Sequence, residues 1–251
     1  MGRRSKMKAI TAGKRSFQEL NEEIRGSLEA ENRIVLRDVN GQRYIGAAMD
    51  KGKRINIHGT PGNDMGAYLN GGTLEVFGNG QEAIGNTMNG GSITVHGHVG
   101  DTLGYAMRDG EIFVEKRAGS RAGIHMKEFQ KKQPVVVIGG IAGAFLGEYM
   151  AGGTLIVMGL ENTEGLPIVG VHCATGMLGG RIFIRGDVPQ ENISANITVT
   201  APDKKDLQDI KKHVKEYCKR FEKDYDSIMS VPFVKLMPTT SRPYANLYTP
   251  N

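Results

Sequence analysis

A four-residue apolar unit recurs seven times along this chain. The copies are Ile55-Asn56-Ile57-His58, Leu74-Glu75-Val76-Phe77, Ile93-Thr94-Val95-His96, Ile112-Phe113-Val114-Glu115, Val135-Val136-Val137-Ile138, Leu155-Ile156-Val157-Met158 and Ile182-Phe183-Ile184-Arg185. Their starts lie 19, 19, 19, 23, 20 and 27 residues apart, and positions one and three are Ile, Leu or Val in every copy. A strand has a side-chain period of two, so these positions share a face. Four residues cannot hold a strand alone, but units stacked about 4.8 Å apart can pair their backbones.

Three further ladders precede the tetrads. The first is Ile45, Met65, Ile84, Leu103, Ala122, Leu146 and Cys173. Glycine follows directly as Gly46, Gly66, Gly85, Gly104, Gly123 and Gly147, with Ala174 as the exception. Met49, Leu69, Met88, Met107, Met126, Met150 and Met177 form the third. Glycine permits tight corners, and methionine fills uneven space between coils. Antiparallel hairpins would give varied spacing instead. The pattern therefore predicts an all-β fold, a β-solenoid of about seven coils.

Tetrad position two reads Asn56, Glu75, Thr94, Phe113, Val136, Ile156 and Phe183. If positions one and three point inward, the later coils have an apolar outer face that needs a cover. Two insertions lengthen the repeat: residues 127–134 by four residues, and residues 161–169 before the seventh tetrad. Such loops can serve as contact sites.

Solenoid ends need protection. Ser16 and Glu19 form a capping-box pattern before an apolar stripe of Phe17, Leu20, Ile24 and Leu28, and Ile34-Val35-Leu36 reads as a strand. After the repeat, residues 193–199 read as extended. Thr200 as N-cap and Asp203 at N3 then predict a helix of about 25 residues, with Leu207, Ile210, Val214, Tyr217, Phe221, Tyr225 and Ile228 on one face. Residues 231–251, with Tyr244 and Tyr248, read as an irregular docking tail. The expected organisation is a cap over 1–42, the β-helix over 43–190, and the helix and tail over 191–251.

Composition narrows the function. Glycine supplies 35 of 251 residues, about twice the usual share, without the G-X-Y period of collagen. The net charge of +5 is spread through the chain apart from a basic tip of Arg3, Arg4, Lys6 and Lys8. Aromatic residues are sparse and Trp is absent, which argues against nucleic-acid binding. No long apolar run predicts a membrane span or secretory signal, so a cytoplasmic location is expected.

No catalytic constellation emerges. His58 and His96 hold equivalent positions two coils apart with Phe77 between them, which is poor geometry for a shared metal. His96 and His98 lack a third ligand. Cys173 beside His172 sits on an inward apolar ladder, and adjacent strand residues point to opposite faces. Cys218 lies next to the apolar helix stripe. The glycine-rich run 78–85 lacks the Gly-Lys-Ser/Thr ending of a phosphate loop. The glycine ladder is read as structural, and no catalytic, cofactor or metal site is expected on this chain.

Residues 62–97 and 143–186 resemble the GXGXG-motif domain at the C-terminus of the glutamate synthase large subunit. GEYMAGGTLIVMG (147–159) and ATGMLGGRIFIRG (174–186) carry the likeness most strongly. The C-terminal helix and SRPYANLY tail are closest to a stand-alone form. The formylmethanofuran dehydrogenase subunit that carries the same motif is a relative. The resemblance implies a right-handed parallel β-helix and a non-catalytic scaffold within a larger enzyme. In the glutamate synthase form the implied partners are an amidotransferase (glutaminase) chain and a synthase chain holding FMN and an iron–sulfur cluster. This sequence has neither an N-terminal nucleophilic cysteine nor a cysteine cluster. A homo-oligomer is also compatible. The alternatives are the equivalent subunit of a formylmethanofuran dehydrogenase-like complex, or a stand-alone enzyme with a site in a β-helix groove. A polar pocket near Glu161 or Lys131 with convergent ionisable groups would favour the last.

Overall fold

The computed structural model describes residues 8–239. The chain opens with β1 (Lys8–Thr11), α1 (Phe17–Ala30) and β2 (Arg33–Asn40). The repeat supplies β3 (Arg54–Thr60), β4 (Asn70–Phe77), β5 (Asn89–Val95), β6 (Asp109–Val114), β7 (Val135–Ile138), β8 (Ala151–Val157) and β9 (Gly179–Arg185). A 3-10 turn (Gln190–Asn192), β10 (Ile197–Thr200), α2 (Lys204–Phe221), α3 (Tyr225–Met229) and β11 (Phe233–Pro238) follow.

The strands form one sheet in the order β1-β2-β3-β4-β5-β6-β7-β8-β9-β11-β10. Every pairing from β1 to β9 is parallel, so the fold is a parallel β-helix. The seven repeat units occupy β3–β9, and β2 and β1 extend their ladder. A second wall comes from single parallel bridges linking Gly80, Val99, Ala118, Ala142 and Val169. The third is the glycine corner. There the Gly66, Gly85, Gly104, Gly123 and Gly147 N–H groups donate to the Ile45, Met65, Ile84, Leu103 and Ala122 carbonyls of the coil below, at 2.7–2.9 Å. The apolar, methionine and tetrad ladders meet inside these walls as one buried core.

The pairing corrects the fifth tetrad. Ile112 is opposite Val136, not Val135, and Val136 is opposite Leu155. The true unit is Val136-Val137-Ile138-Gly139, the interval before it is 24 residues and the next is 19, so the insertion adds five. In a run of Val-Val-Val-Ile the alternation has no polar residue to mark its phase. Val135 and Val137 instead belong to a second core on the outer face.

That second core is the cover required by position two. Phe113, Val137, Ile156 and Phe183 pack beneath Ile210, Val214, Tyr217, Cys218 and Phe221 of α2 and Ile228 of α3. The Tyr217 hydroxyl donates to the Glu115 carbonyl at 2.7 Å. Gly139 makes room for it, because a Cβ there would overlap the hydroxyl.

At the N-terminal end, Ser16 and Glu19 form the expected capping box, and Leu20, Ile24 and Leu28 are buried; Phe17 is half-buried. The C-terminal helix differs from expectation. Its N-cap is Asp203, whose carboxylate accepts from the Lys205 and Asp206 N–H groups, with Asp206 closing a capping box at N3. Thr200 instead ends β10. The helix stops where Glu222 turns left-handed (φ 53°), and Tyr225 and Ile228 belong to the separate α3. Leu207 is 37% exposed rather than on the buried stripe. Residues 233–238 are not irregular: β11 pairs antiparallel with β9 on one side and β10 on the other. Tyr244, Tyr248 and the tip residues Arg3, Arg4 and Lys6 lie outside the described residues.

Candidate functional site

The second insertion builds a groove. Its Asn162 side chain bonds both the N–H and the carbonyl of Leu166, which closes the loop on itself. The chain rejoins the second wall where the Ala142 N–H donates to the Ile168 carbonyl at 2.9 Å. Under this loop lies an open groove of about 590 Å³, with His98, Lys116 and Arg117 on its floor and Glu161 and Glu164 on its roof.

The charges are largely paired. Arg117 reaches Glu164 at 3.2 Å, and Lys223 of the α2–α3 link reaches Glu161 at 2.8 Å and Glu115 at 3.1 Å. The hydrogen bond from Lys223 holds Glu161 below the usual carboxylate range, and the same bond raises Lys223. Burial, then Lys116 and Arg117, lowers the His98 imidazole, which favours its neutral form. Thr163 is the hydroxyl residue that lines the groove, and among the described residues no side-chain hydrogen bond joins it or a carboxylate to the His98 ring. Among the described residues the groove shows no hydrogen-bonded nucleophile–base pair.

The first insertion edges a smaller cleft of about 290 Å³ between Lys131, Gln133, Arg181 and the α2 residues Asp209, Lys212 and His213. Arg181 is held by Asp206 at 3.1 Å, Asp209 at 2.8 Å and Thr154 at 3.3 Å. Lys235 of β11 joins Asp206 at 2.7 Å, which ties three elements together. Burial pushes His213 down to about 4. The second insertion thus enters structural ion pairs through Glu161 and Glu164, whereas the ion pairs beside the first join β9, α2 and β11, and among the described residues none involves residues 127–134. The Asp206 node escaped sequence reading because the nearer Thr200–Asp203 pair offered a competing cap. The Asp203–Asp206 spacing was the available signal.

The remaining singled-out residues are dispersed. His58, Phe77 and His96 stack with centroids 4.8 and 5.0 Å apart. His96 approaches Glu75 at 3.3 Å. His125 stacks on Tyr149 and His172 on Phe145. Cys173 is fully buried while His172 is exposed, and burial pushes the thiol up to about 12, so the two form no thiolate–imidazole pair. Cys218 lies in the outer core. Among the described residues no three His, Cys, Asp or Glu side chains converge to hold a metal, and no helix is long and apolar enough to cross a membrane.

Comparison with known proteins places these features. The GXGXG motif family profile matches residues 18–239. Uncharacterized protein MJ1350 of Methanocaldococcus jannaschii is 42% identical over 252 residues, covering 96% of each chain. A chain in the crystal structure of the formyltransferase/hydrolase complex from Methylorubrum extorquens, solved with methylofuran, shares the fold. Its TM-score is 0.62 at 20% identity, covering 85% of this chain and 86% of that one.

Proposed function

The chain belongs to the GXGXG-motif family, and on that footing we propose that it is a structural subunit of a multi-subunit enzyme, a rigid rod that holds catalytic chains and supplies no catalytic group itself. The observation that carries this reading is the state of its ionisable groups. Beside the two clefts, the Arg117–Glu164 and Lys223–Glu161 pairs and the Arg181–Asp206–Asp209–Lys235 cluster hold loops and α2 in place.

The first choice of assembly is one of the formyltransferase/hydrolase type, with the motif-bearing subunit of formylmethanofuran dehydrogenase as the family counterpart. The support is the fold shared with a chain of such a complex over most of both lengths. A glutamate synthase-like assembly is the second reading, favoured by the tracts 147–159 and 174–186. Its partners are an amidotransferase chain and a chain carrying FMN and an iron–sulfur cluster, and this chain binds neither cofactor.

Affinity purification of the tagged chain from its native host, followed by mass spectrometry, tests the proposal. Co-elution of formyltransferase- and hydrolase-type chains is expected. Amidotransferase and flavoprotein chains would select the second reading. Recovery without any enzyme chain overturns both.

A further inference from the structure

The first insertion is built as a finger with a braced base. The Lys127 N–H donates to the Met107 carbonyl at 3.0 Å, and the Pro134 carbonyl accepts from the Thr154 N–H at 2.9 Å. Between these anchors Phe129 and Lys132 exchange two backbone hydrogen bonds of 3.0 Å, which closes a hairpin with Gln130 and Lys131 at its tip. The Glu128 carboxylate folds back on β8 and accepts from the Gly153 N–H at 3.0 Å. A Cβ on Gly152 would overlap the Glu128 side chain, so the Gly152-Gly153 pair forms the seat of this loop.

This bracing presents Phe129 to solvent. Its side chain is 64% exposed, more than any other large apolar residue among those described. Lys127, Lys131 and Lys132 flank it in the same loop. Arg108 holds the position of Lys127 one coil below, and Lys212 of α2 lines the same cleft as Lys131. None of these cations has an ionic partner among the described residues. The acids beside them are mostly engaged. Glu128 is bonded to Gly153, Asp209 to Arg181, and Glu111 approaches Arg220 at 3.9 Å, which leaves Asp109.

An exposed ring among free cations complements an apolar socket rimmed by carboxylates. Aromatic anchors dominate interface energetics when they fill a pocket that the surrounding contacts keep dry. We propose that this finger docks the rod onto an enzyme chain of its assembly, with Phe129 seated in such a socket and Lys127, Lys131 and Lys132 against its acidic rim. The inference rests on the reading of the chain as a structural subunit and adds the place and chemistry of one contact. A membrane surface fits less well, because one ring is far smaller than the amphipathic face that holds a protein at a bilayer.

The test uses the tagged full chain, purified from its native host at stepped salt, with co-eluting enzyme chains identified and quantified by mass spectrometry. Wild type should retain an enzyme chain at low salt and lose it as salt rises, because screening weakens the rim contacts. Phe129→Ala should cut recovery of that chain by about tenfold or more. So should the combined Lys127→Glu, Lys131→Glu and Lys132→Glu reversal, whereas exchanging the same lysines for arginine should keep it. All these side chains are exposed, so each variant should melt as wild type does. If wild type retains enzyme chains and both Phe129→Ala and the reversal retain them equally, the finger is not the dock and the subunit reading stands. If wild type retains none, the subunit reading fails and this proposal with it. Binding of wild type to phosphatidylglycerol vesicles that Phe129→Ala abolishes, with its enzyme chains still retained, also overturns the proposal and assigns the finger to a membrane.

Discussion

A glycine on the corner ladder is required by volume more than by backbone angle. Ala83 and Ala106 adopt φ of 56° and 50° at neighbouring corner positions, so alanine tolerates the left-handed region here. What an added Cβ would meet is the first tetrad residue of the next coil: Leu74 Cδ2 at 2.7 Å from Gly46, Ile93 Cδ1 at 2.7 Å from Gly66, and Ile182 Cδ1 at 2.7 Å from Gly147. Gly104 faces the smaller Val136 at 3.2 Å. Ala174 has φ 61° and is fully buried, yet it belongs to the last repeat coil, with no further tetrad beyond it. The exception in the sequence thus marks the end of the stack. Gly147→Ala should therefore cost about 1–3 kcal/mol by overpacking. Adding Ile182→Val, which removes the clashing Cδ1, should recover part of that loss, although Ile182→Val alone costs about 0.5–1.5 kcal/mol. Denaturant titration of the four proteins gives the coupling, and strictly additive losses would refute this packing argument. His213 carries a second prediction at this scale. Burial lowers its folded pKa to about 4; Lys212 and Arg181 also disfavour its charge, while Asp209 and Glu216 favour it. Well above the ordinary histidine pKa of about 6.5, both folded and unfolded states hold it neutral. As pH falls from about 6.5 to about 4, only the unfolded chain takes up the proton, so stability drops by about 2–3 kcal/mol. His213→Gln should flatten that part of the stability–pH curve. A variant curve parallel to wild type across this range would exclude His213 as the cause.

Among the elements, α2 is where sequence pattern and packing diverge. The three- and four-residue spacing correctly exposed an amphipathic helix and its need for the apolar position-two face. It could not place the ends, because Thr200 and Asp203 both resemble caps and the left-handed Glu222 is not a glycine. Leu207 continues the spacing but sits in the first turn, beyond the edge of the apolar face. Ile210→Ala should destabilise the protein by about 2–4 kcal/mol, since Ile210 is fully buried in the outer core. Leu207→Ala should change stability by less than about 0.5 kcal/mol. Equal midpoint shifts in urea would show that the helix face is misassigned. The candidate clefts were legible only as insertions. The interval lengths reveal extra residues, but which charges meet depends on Lys223 and Arg181, brought from distant parts of the chain.

Across the whole molecule, the repeat was readable because every inner coil sees the same neighbours, so one ladder reports many times. The ends occur once and give no such redundancy. β11 shows the consequence: its Phe233-Val234-Lys235-Leu236 has strand character, but nothing local says that it returns to β9 and reverses the sheet direction. This reversal closes the rod. Without β11, the β9 edge would offer the unpaired backbone of Ile182–Arg185 for addition of further strands, and the outer core would lose Phe233. With it, the terminal edge is β10, only four residues long and containing two threonines. Short polar edges resist templated pairing. A chain ending at Ser230 should therefore form large assemblies that bind a hydrophobic dye, whereas one ending at Thr239 should elute in gel filtration as the full chain does. Both truncations remove residues 240–251, so the difference between them isolates β11. Soluble, native-sized protein from the shorter chain would mean that β10 and α2 protect the β9 edge unaided.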